Sequence, residues 1–358
     1  MTIYEVAREA GVSPSTVSNL LNGRSGRMLP ETRTRVEAAI RRLGYRPNRA
    51  ARQLRSGRVQ VIGLVVPSVA NPFWGAFARH VEGAALAEGY HVLLCNSERD
   101  PDRERGYVEE LWDDGVTGVI LCTSLPSLTH VLPLVKRGLK LVTFDRTAQA
   151  GDPAGLTNIS VDNVVGAQLA TDHLLSLGHR RLAFVSGALG SVNRKERFQG
   201  FRAALDAAGI PLDDAVVFSD GDGDRFGDLD AAGLGRTAAH EVLSGPNPPT
   251  AIVAINDMCA LGVYAGIRDA GLTVGTDVSV VGFDDIVLAD LVDPALTTVR
   301  QPLADMAATA FDNLRTRLES PATGPGHSLL IRPELVTRAS TAPPVQRAVT
   351  VPRSPSAT

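Results

Sequence analysis

The sequence predicts a small all-α module at the N-terminus followed by a large α/β body of two lobes, and three observations predict it. Within the first 22 residues two short helical segments flank a tight glycine turn. Arginine is concentrated in the first 58 residues. From Val59 onward short β-rich runs alternate with helical stretches. With 358 residues and 44% apolar content, the chain has material for both parts.

In the N-terminal module, IYEVAREAGVS places Val6 and Ala10 on one face and breaks at Gly11. Ser13 followed by Pro14 reads as an N-cap with proline at the first helical position, so a second helix runs to about Asn22 and ends at Gly23. Helix, tight turn, helix is the spacing of a helix-turn-helix. In VSPSTVSNLLN there are apolar residues for one anchoring stripe, while Ser15, Thr16, Ser18 and Asn19 line the other side. A helix that only faced water would carry Glu, Lys or Arg there, which propagate helix better. Short neutral donors suit a surface pressed against something polar.

Charge points the same way. Residues 1–58 hold 12 Arg, no Lys and 4 Glu, a net of +8, while the other 300 residues hold 24 basic and 35 acidic residues, a net of −11. The total of −3 conceals this asymmetry. Solvated charge explains single arginines; a whole basic terminus is the footprint of a polyanion partner. A third helix is expected over Pro30 to Leu43, and then comes GYRPNRAARQLRSGR. Asn48 to Leu54 makes only two helical turns, too few to be stable alone. Two supports suggest themselves, a second copy of the chain and DNA.

The body reads as VQVIGLVVP, HVLLCNS, GVILC, KLVTFD, RLAFVSG, AVVFSD, AIVAIND and VSVVGFDD, separated by helices such as Trp74–Glu88, Val164–Leu177, Arg197–Ala208 and Leu261–Ala270. Such alternation predicts doubly wound parallel sheets with helices on both faces. Ligands of open α/β sheets sit at the carboxyl ends of strands, where this chain has Asn71, Asp145, Arg146, Asn256, Asp257, Asp284 and Asp285. Each alone reads as a cap or turn residue; their convergence from several strands favours a pocket.

Other features narrow the field. No signal peptide or apolar run of about 18 residues stands out, so a cytoplasmic protein that does not enter the membrane is expected. Cys95, Cys122 and Cys259 are isolated and are expected as buried, reduced thiols. Asp220, Asp222 and Asp224 alternate as in a calcium loop, but Arg225 stands in the place of the required glycine and Ala231 in that of the bidentate glutamate. No metal or cofactor is expected. The tail from Thr341, TAPPVQRAVTVPRSPSAT, is Pro-rich, lacks leucine heptads and is expected to be disordered.

Taken together, IYEVAREAGVSPSTVSNLLN, TRTRVEAAIRRLGYRPNRAARQLRSG, NPFW with GAALAEGYHVLLCNS, LLSLGHRRLAFVSG, ERFQGFRAAL, AINDMCALG and DVSVVGFDD resemble the LacI family of transcriptional regulators, the group that includes the lactose and purine repressors. The motifs run in order from about Thr2 to Ala339. The resemblance implies a helix-turn-helix headpiece over 1–46, a hinge helix and linker over 47–58, a two-lobed periplasmic-binding-protein-like core over 59–340 and a tail over 341–358. It implies three exchanges of chain between the lobes, with Val59–Asn158 and about Ala295–Glu319 in one, and Ile159–Pro294 and about His327–Ala339 in the other.

It also implies sites. The second helix of the family lies in the DNA major groove, which puts Pro14, Ser15 and Asn19 at base-contacting positions and Ser13, Thr16, Asn22, Thr32 and Tyr45 at positions resembling phosphate contacts. Many relatives have Arg at the position of Asn19. Asn favours adenine where Arg favours guanine, so the half-site cannot be copied from a relative. In the hinge, Asn48, Leu54 and Arg55 are the expected DNA contacts, with Leu54 at the position of a leucine that wedges into the minor groove. The effector pocket would use Phe73, Trp74, Asp145, Arg146, Asn193, Arg197, Asn256 and Asp284. Carboxylates and arginine beside aromatic faces suit a polyhydroxylated ring, so a sugar or sugar phosphate is favoured. Trp74 could equally stack on a nucleobase, which keeps a purine or nucleoside as the alternative.

The expected function is thus a homodimeric repressor that binds a pseudopalindromic double-stranded DNA operator under control of a small effector. A solute-binding protein would share the core but needs an export signal in place of the basic headpiece. An enzyme is not expected, since the chain has no nucleophile elbow, Walker loop, metal-ligand cluster or strand-linked GxGxxG.

Overall fold

A computed structural model of the chain describes residues 2–21, 28–45, 61–220, 231–320 and 326–345. It divides into two compact units, residues 1–59 and residues 60–358.

The N-terminal unit is three helices, α1 (Ile3–Ala10), α2 (Pro14–Leu21) and α3 (Pro30–Leu43). Thr2 caps α1 in a reciprocal box: its hydroxyl accepts from the Glu5 amide at 3.4 Å, and its own amide donates to the Glu5 carboxylate at 2.7 Å. Gly11 closes α1 at φ +63, a left-handed conformation that glycine adopts without steric cost. Val6, Ala7, Ala10, Val17, Val36 and Ala39 form a small buried core, and Glu9 pairs with Arg42 across it. The predicted helices fall where the caps and glycines place them.

The second unit holds two six-stranded sheets. The first has the order β11-β5-β4-β3-β1-β2, all parallel, from β1 (Val61–Val66), β2 (His91–Asn96), β3 (Gly118–Cys122), β4 (Lys140–Phe144), β5 (Thr157–Val161) and β11 (Ser328–Ile331). The second has the order β12-β10-β9-β8-β6-β7, from β6 (Leu182–Gly187), β7 (Val216–Asp220), β8 (Ala251–Ala254), β9 (Ser279–Asp284), β10 (Thr297–Arg300) and β12 (Glu334–Val336). Only β12 runs antiparallel to its neighbour. Central strands such as β3, β6, β8 and β9 are buried along their whole length, as parallel strands covered on both faces must be.

The chain crosses between lobes three times, but not where the sequence places the crossings. Residues 159–161 complete β5 and stay in the first sheet, residues 297–300 form β10 in the second, and residues 328–331 pair with β5 in the first. These strands are absent from the predicted set because β5 (TNISV) and β10 (TTVR) are short and rich in Thr, Ser and Asn and β11 (SLLI) is only four residues long; only their partners reveal them. Helix boundaries shift for a local reason. Asn71 caps Pro72–Ala87 and Asn256 caps Asp257–Asp269, so these helices start two and four residues before their predicted starts, Trp74 and Leu261. Helix Val192–Ala207 likewise starts well before Arg197.

Two further expectations need correction. Cys122 and Cys259 are buried thiols, but Cys95 is only half-buried, because β2 is an edge strand with an accessible face. The segment expected to be a free tail from Thr341 is tied to the second lobe at its start. Thr341 Oγ1 lies 2.9 Å from His173 Nε2, the Ala342 amide donates to Ser279 Oγ at 3.0 Å, and the Ala342 carbonyl lies 2.9 Å from His179 Nε2. Residues 222–225 of the Asp-rich segment and 346–358 of the tail lie outside the described residues. Among the described residues no helix is long and apolar enough to cross a membrane.

Candidate functional site

Two sites follow from the sequence, one on each unit. On the headpiece, Ser13 caps α2 as predicted: its Oγ accepts from the Thr16 amide at 3.2 Å and lies 2.7 Å from Ser15 Oγ and 2.8 Å from Thr16 Oγ1. Ser13, Ser15 and Asn19 are exposed, and Pro14 and Thr16 are half-buried. The first turn of α2 carries no acidic residue and its last turn no basic one. A helix start that presents hydroxyls and amides without a carboxylate can accept a phosphate or a base edge. Ser18, expected on the same face, is buried, because one helical turn sets it beside Leu21 on the packed side. Thr32 is half-buried in the first turn of α3, and the half-buried Tyr45 packs on the headpiece core. Asn22, Asn48, Leu54 and Arg55 lie outside the described residues.

The second site is a cleft between the two sheets of the core. The lobes close on it, leaving a free cavity of about 20 Å³. The topology dictates its place: Asn71 follows β1, Arg99 follows β2 and Asp145 follows β4, while Asn193, Asn256, Asp284 and Gln301 stand at the carboxyl ends of β6, β8, β9 and β10. Seven of the eight residues expected there line it: Phe73, Trp74, Asp145, Asn193, Arg197, Asn256 and Asp284.

The eighth, Arg146, does not. Its side chain is wholly buried in the first lobe, donating to the Leu125 and Pro126 carbonyls at 3.1 and 3.2 Å, to Asp152 at 2.9 Å and to Asn158 Oδ1 at 3.1 Å. A guanidinium with this many protein acceptors is a structural tie. Trp74 also differs from expectation. It is 2% exposed and packed in T-shaped contacts with Phe73, Phe77 and Phe144, so it lines the cleft without offering an open plate.

The polar groups of the cleft are bonded to one another across the lobes. Asn193 Nδ2 donates to Asp145 Oδ2 at 2.8 Å, the Val192 amide donates to the Ser124 carbonyl at 2.8 Å, and Thr147 Oγ1 donates to Glu196 at 2.5 Å. Arg197 donates to Asn163 Oδ1 at 2.9 Å and to the Ile255 carbonyl at 2.6 Å, lies 3.7 Å from the Asp284 carboxylate, and rests its guanidinium 3.6 Å from the Phe283 ring centre. Gln301 Nε2 donates to Asp284 Oδ1 at 2.8 Å. Two of the carboxylates sit on strained backbone, with φ +66 at Asp145 and +117 at Asp284, conformations that L residues rarely hold without support around them.

Beneath the cleft, Asp257 is fully buried; it accepts from Thr298 Oγ1 at 2.5 Å and from the Ile286 amide at 2.9 Å. Burial, reinforced by the charge of Asp284, pushes its carboxyl well above the usual carboxylate range. Gly282 makes room for it, since a Cβ there would lie 2.1 Å from its Oδ1. Burial also raises the Glu196 carboxyl, against the opposing hydrogen bonds from Thr147 and Asn163. Asn71, one of the strand-end residues whose convergence favours a pocket, lines the cleft although the family resemblance does not add it to the effector set, and Arg99, Arg194, Ile255 and Gln301 line it without having been expected. Gln301 follows an unrecognised strand, and Arg99 sits at φ +57 in a turn that Asn96, Ser97, Asp100 and Pro101 mark in the sequence without telling which side chain enters the cleft.

The family described as bacterial regulatory proteins, lacI family, matches residues 2–48, and the periplasmic binding protein-like domain matches residues 171–341. The HTH-type transcriptional regulator DegA of Bacillus subtilis (strain 168) is 34% identical over 346 residues, 96% of this chain and 98% of that protein. Among solved structures, the lac repressor dimer bound to operator and the anti-inducer ONPF is similar with a TM-score of 0.79 at 27% identity, covering 96% of this chain and 99% of that one. A LacI family transcriptional regulator from Enterococcus faecium with bound ribose is similar with a TM-score of 0.70 at 29% identity, covering 79% of this chain and 99% of that one.

Proposed function

The chain belongs to the lacI family of bacterial regulatory proteins and is a DNA-binding transcription regulator with an effector-binding core, not an enzyme; from that premise we propose that it is a repressor whose operator affinity is set by a polyhydroxylated effector held between the core lobes. The observation that carries the reading is the cleft itself. Its carboxylates, amides and arginine come from both lobes, so a ligand that replaces the Asn193–Asp145 bond has different affinities for different lobe arrangements, and only such a difference can shift an equilibrium. Asp145, Asp284 and Gln301 supply acceptors and donors for hydroxyl groups, and Phe73 supplies an apolar wall. The ribose bound to the Enterococcus relative supports a sugar over a purine, as does the burial of Trp74, which leaves no open face for a base.

On the DNA side, Ser15 and Asn19 read base edges with Pro14 beside them, Ser13, Thr16, Asn22, Thr32 and Tyr45 hold phosphates, and Asn48, Leu54 and Arg55 act at the hinge. The regulator is a homodimer on a pseudopalindromic operator. Support comes from the exposed apolar residues of the core: Leu93 and Leu94 on edge strand β2, Val69 nearby in sequence after β1, and Val287 and Leu291 in the second lobe. The test is a gel shift against DNA upstream of the chain's own gene, combined with a thermal-shift screen of sugars, sugar phosphates and nucleobases. A ligand at about 100 times its dissociation constant adds about 2.7 kcal/mol to stability, well within reach of the screen. A salt-sensitive symmetric footprint that a sugar-type compound alters is expected; no footprint, or one altered only by nucleobases, overturns the reading.

A further inference from the structure

A second cavity, of about 820 Å³ against about 20 Å³ in the closed cleft, lies at the other end of the second lobe. Its place follows from the order of the chain. Arg180 and Arg181 stand just before β6, Pro248 and Thr250 just before β8, and Asp277 and Val278 just before β9, so the cavity sits at the amino ends of strands whose carboxyl ends reach the cleft. Pro344 and Val345 line it as well, and the chain leading to them is held by the bonds of Thr341 and Ala342 to His173, His179 and Ser279. A volume within the range of about 300–1,000 Å³ is that of a small-molecule site. Leu243, Leu272, Val278 and Val345 give this one apolar walls.

The charge of the lining selects the ligand. Arg180 Nη1 donates to the Leu175 and His179 carbonyls at 3.5 and 3.3 Å, and Arg181 Nε donates to the Pro248 carbonyl at 3.2 Å. Neither arginine makes an ion pair among the described residues. Carbonyl acceptors orient a guanidinium without neutralising it, and each fork keeps N–H donors to spare. Asp277 is the one carboxylate among the described lining residues, and its Oδ2 already accepts from the Thr273 amide at 2.9 Å. The cleft, by contrast, pairs its arginines with Asp145 and Asp284. We propose that this cavity is a second ligand site, for an organic anion with an apolar body: a carboxylate or phosphate seated by Arg180 and Arg181, and a ring or short hydrocarbon against Leu243, Leu272 and Val278. A bidentate guanidinium suits either acid, and the walls shield the rest of the molecule from water. Because β6, β8 and β9 separate this site from the cleft, its ligand and the effector do not compete for space.

The test uses the full chain and matched probes: indole-3-acetate with indole-3-acetamide, phenyl phosphate with phenol, and inorganic phosphate alone. Calorimetric titration is read on wild type, on the double variant Arg180→Gln/Arg181→Gln, whose side chains are exposed and whose loss leaves the core intact, and on Asp284→Asn in the cleft, each checked for folding by circular dichroism. At least one aromatic acid is expected to bind wild type about ten-fold or more tightly than its neutral partner and to lose about ten-fold or more on the double variant. Phenyl phosphate is expected to exceed inorganic phosphate, and Asp284→Asn to bind the acid as wild type does. Equal binding of acid and neutral partner, or of wild type and the double variant, overturns the proposal. Inorganic phosphate bound as tightly as phenyl phosphate removes the apolar half of it. Loss of acid binding in Asp284→Asn alone assigns that binding to the cleft and also overturns it, as does a wild type that binds none of the probes.

Discussion

The headpiece and the cleft recognise their partners with polar side chains in opposite states. On α2 the hydroxyls of Ser13, Ser15 and Thr16 bond within a single helical turn, and Ser15 and Asn19 lie exposed. In the cleft Asp145, Asn193, Arg197 and Asp284 are nearly buried and bonded to residues on other elements, partly across the lobes. A surface reader can lose a side chain and keep its fold, because water replaces the missing partner. A buried network cannot, since an orphaned charge inside the protein costs several kcal/mol. Substitutions in the headpiece should therefore change binding alone, whereas those in the core should mix binding with stability in proportion to burial.

The largest effect is expected where the family resemblance pointed to a ligand contact and the structure has a structural tie. Arg146→Ala removes a buried guanidinium with four acceptor residues and should cost about 3–5 kcal/mol of core stability, read as a lower midpoint in urea. A variant of wild-type stability with weakened effector binding would restore Arg146 to the cleft. Next is Arg197→Ala, which should cost about 1.5–3 kcal/mol of effector affinity, ten-fold or more, together with a measurable loss of stability because Asn163 and the Ile255 carbonyl lose their donor. On the headpiece, Asn19→Ala should weaken specific operator binding by about 1–3 kcal/mol and leave both the melting curve and non-specific DNA binding unchanged. Equal loss on specific and non-specific DNA would mean that Asn19 does not read a base.

The smallest effect concerns pH. Burial lowers the pKa of His179, which lies in hydrogen-bond range of Thr250, Ser279 and the Ala342 carbonyl, and of His173, which faces Thr341. With their folded values depressed, the unfolded chain binds more protons, so their contribution is present above the unfolded value near 6.5 and is lost as pH falls from there toward the folded values. The core's urea midpoint should fall between pH 7 and pH 5.5, and His179→Gln should flatten that decline. A decline of the same size in the variant would assign it to other groups.

What the sequence revealed follows the same division. The headpiece was legible almost to the residue, because caps, glycines and proline mark Ser13, Pro14, Gly11 and Pro30 locally. Ser18 was misplaced because its burial depends on the width of the packed stripe, which composition alone does not fix. Strands β1–β4 and β6–β9 could be read from their apolar runs, whereas β5, β10, β11 and β12 draw their stability from partners distant in sequence. Seven cleft residues followed from the family motif, while Arg99, Arg194 and Gln301 come from turns and crossings whose convergence exists only in the folded chain.

The central claim is that a ligand in the cleft changes operator affinity, and an operator titration by fluorescence anisotropy tests it directly. It compares wild type with Asp284→Asn, in the presence and absence of the compound that gives the largest thermal shift. The expected result is a several-fold change in wild-type operator affinity on adding the compound, with Asp284→Asn binding operator as wild type does but needing at least ten-fold more compound to respond. Identical responses from the two proteins at the same compound concentration, or a wild-type operator affinity unmoved by a compound shown to bind, would contradict the account.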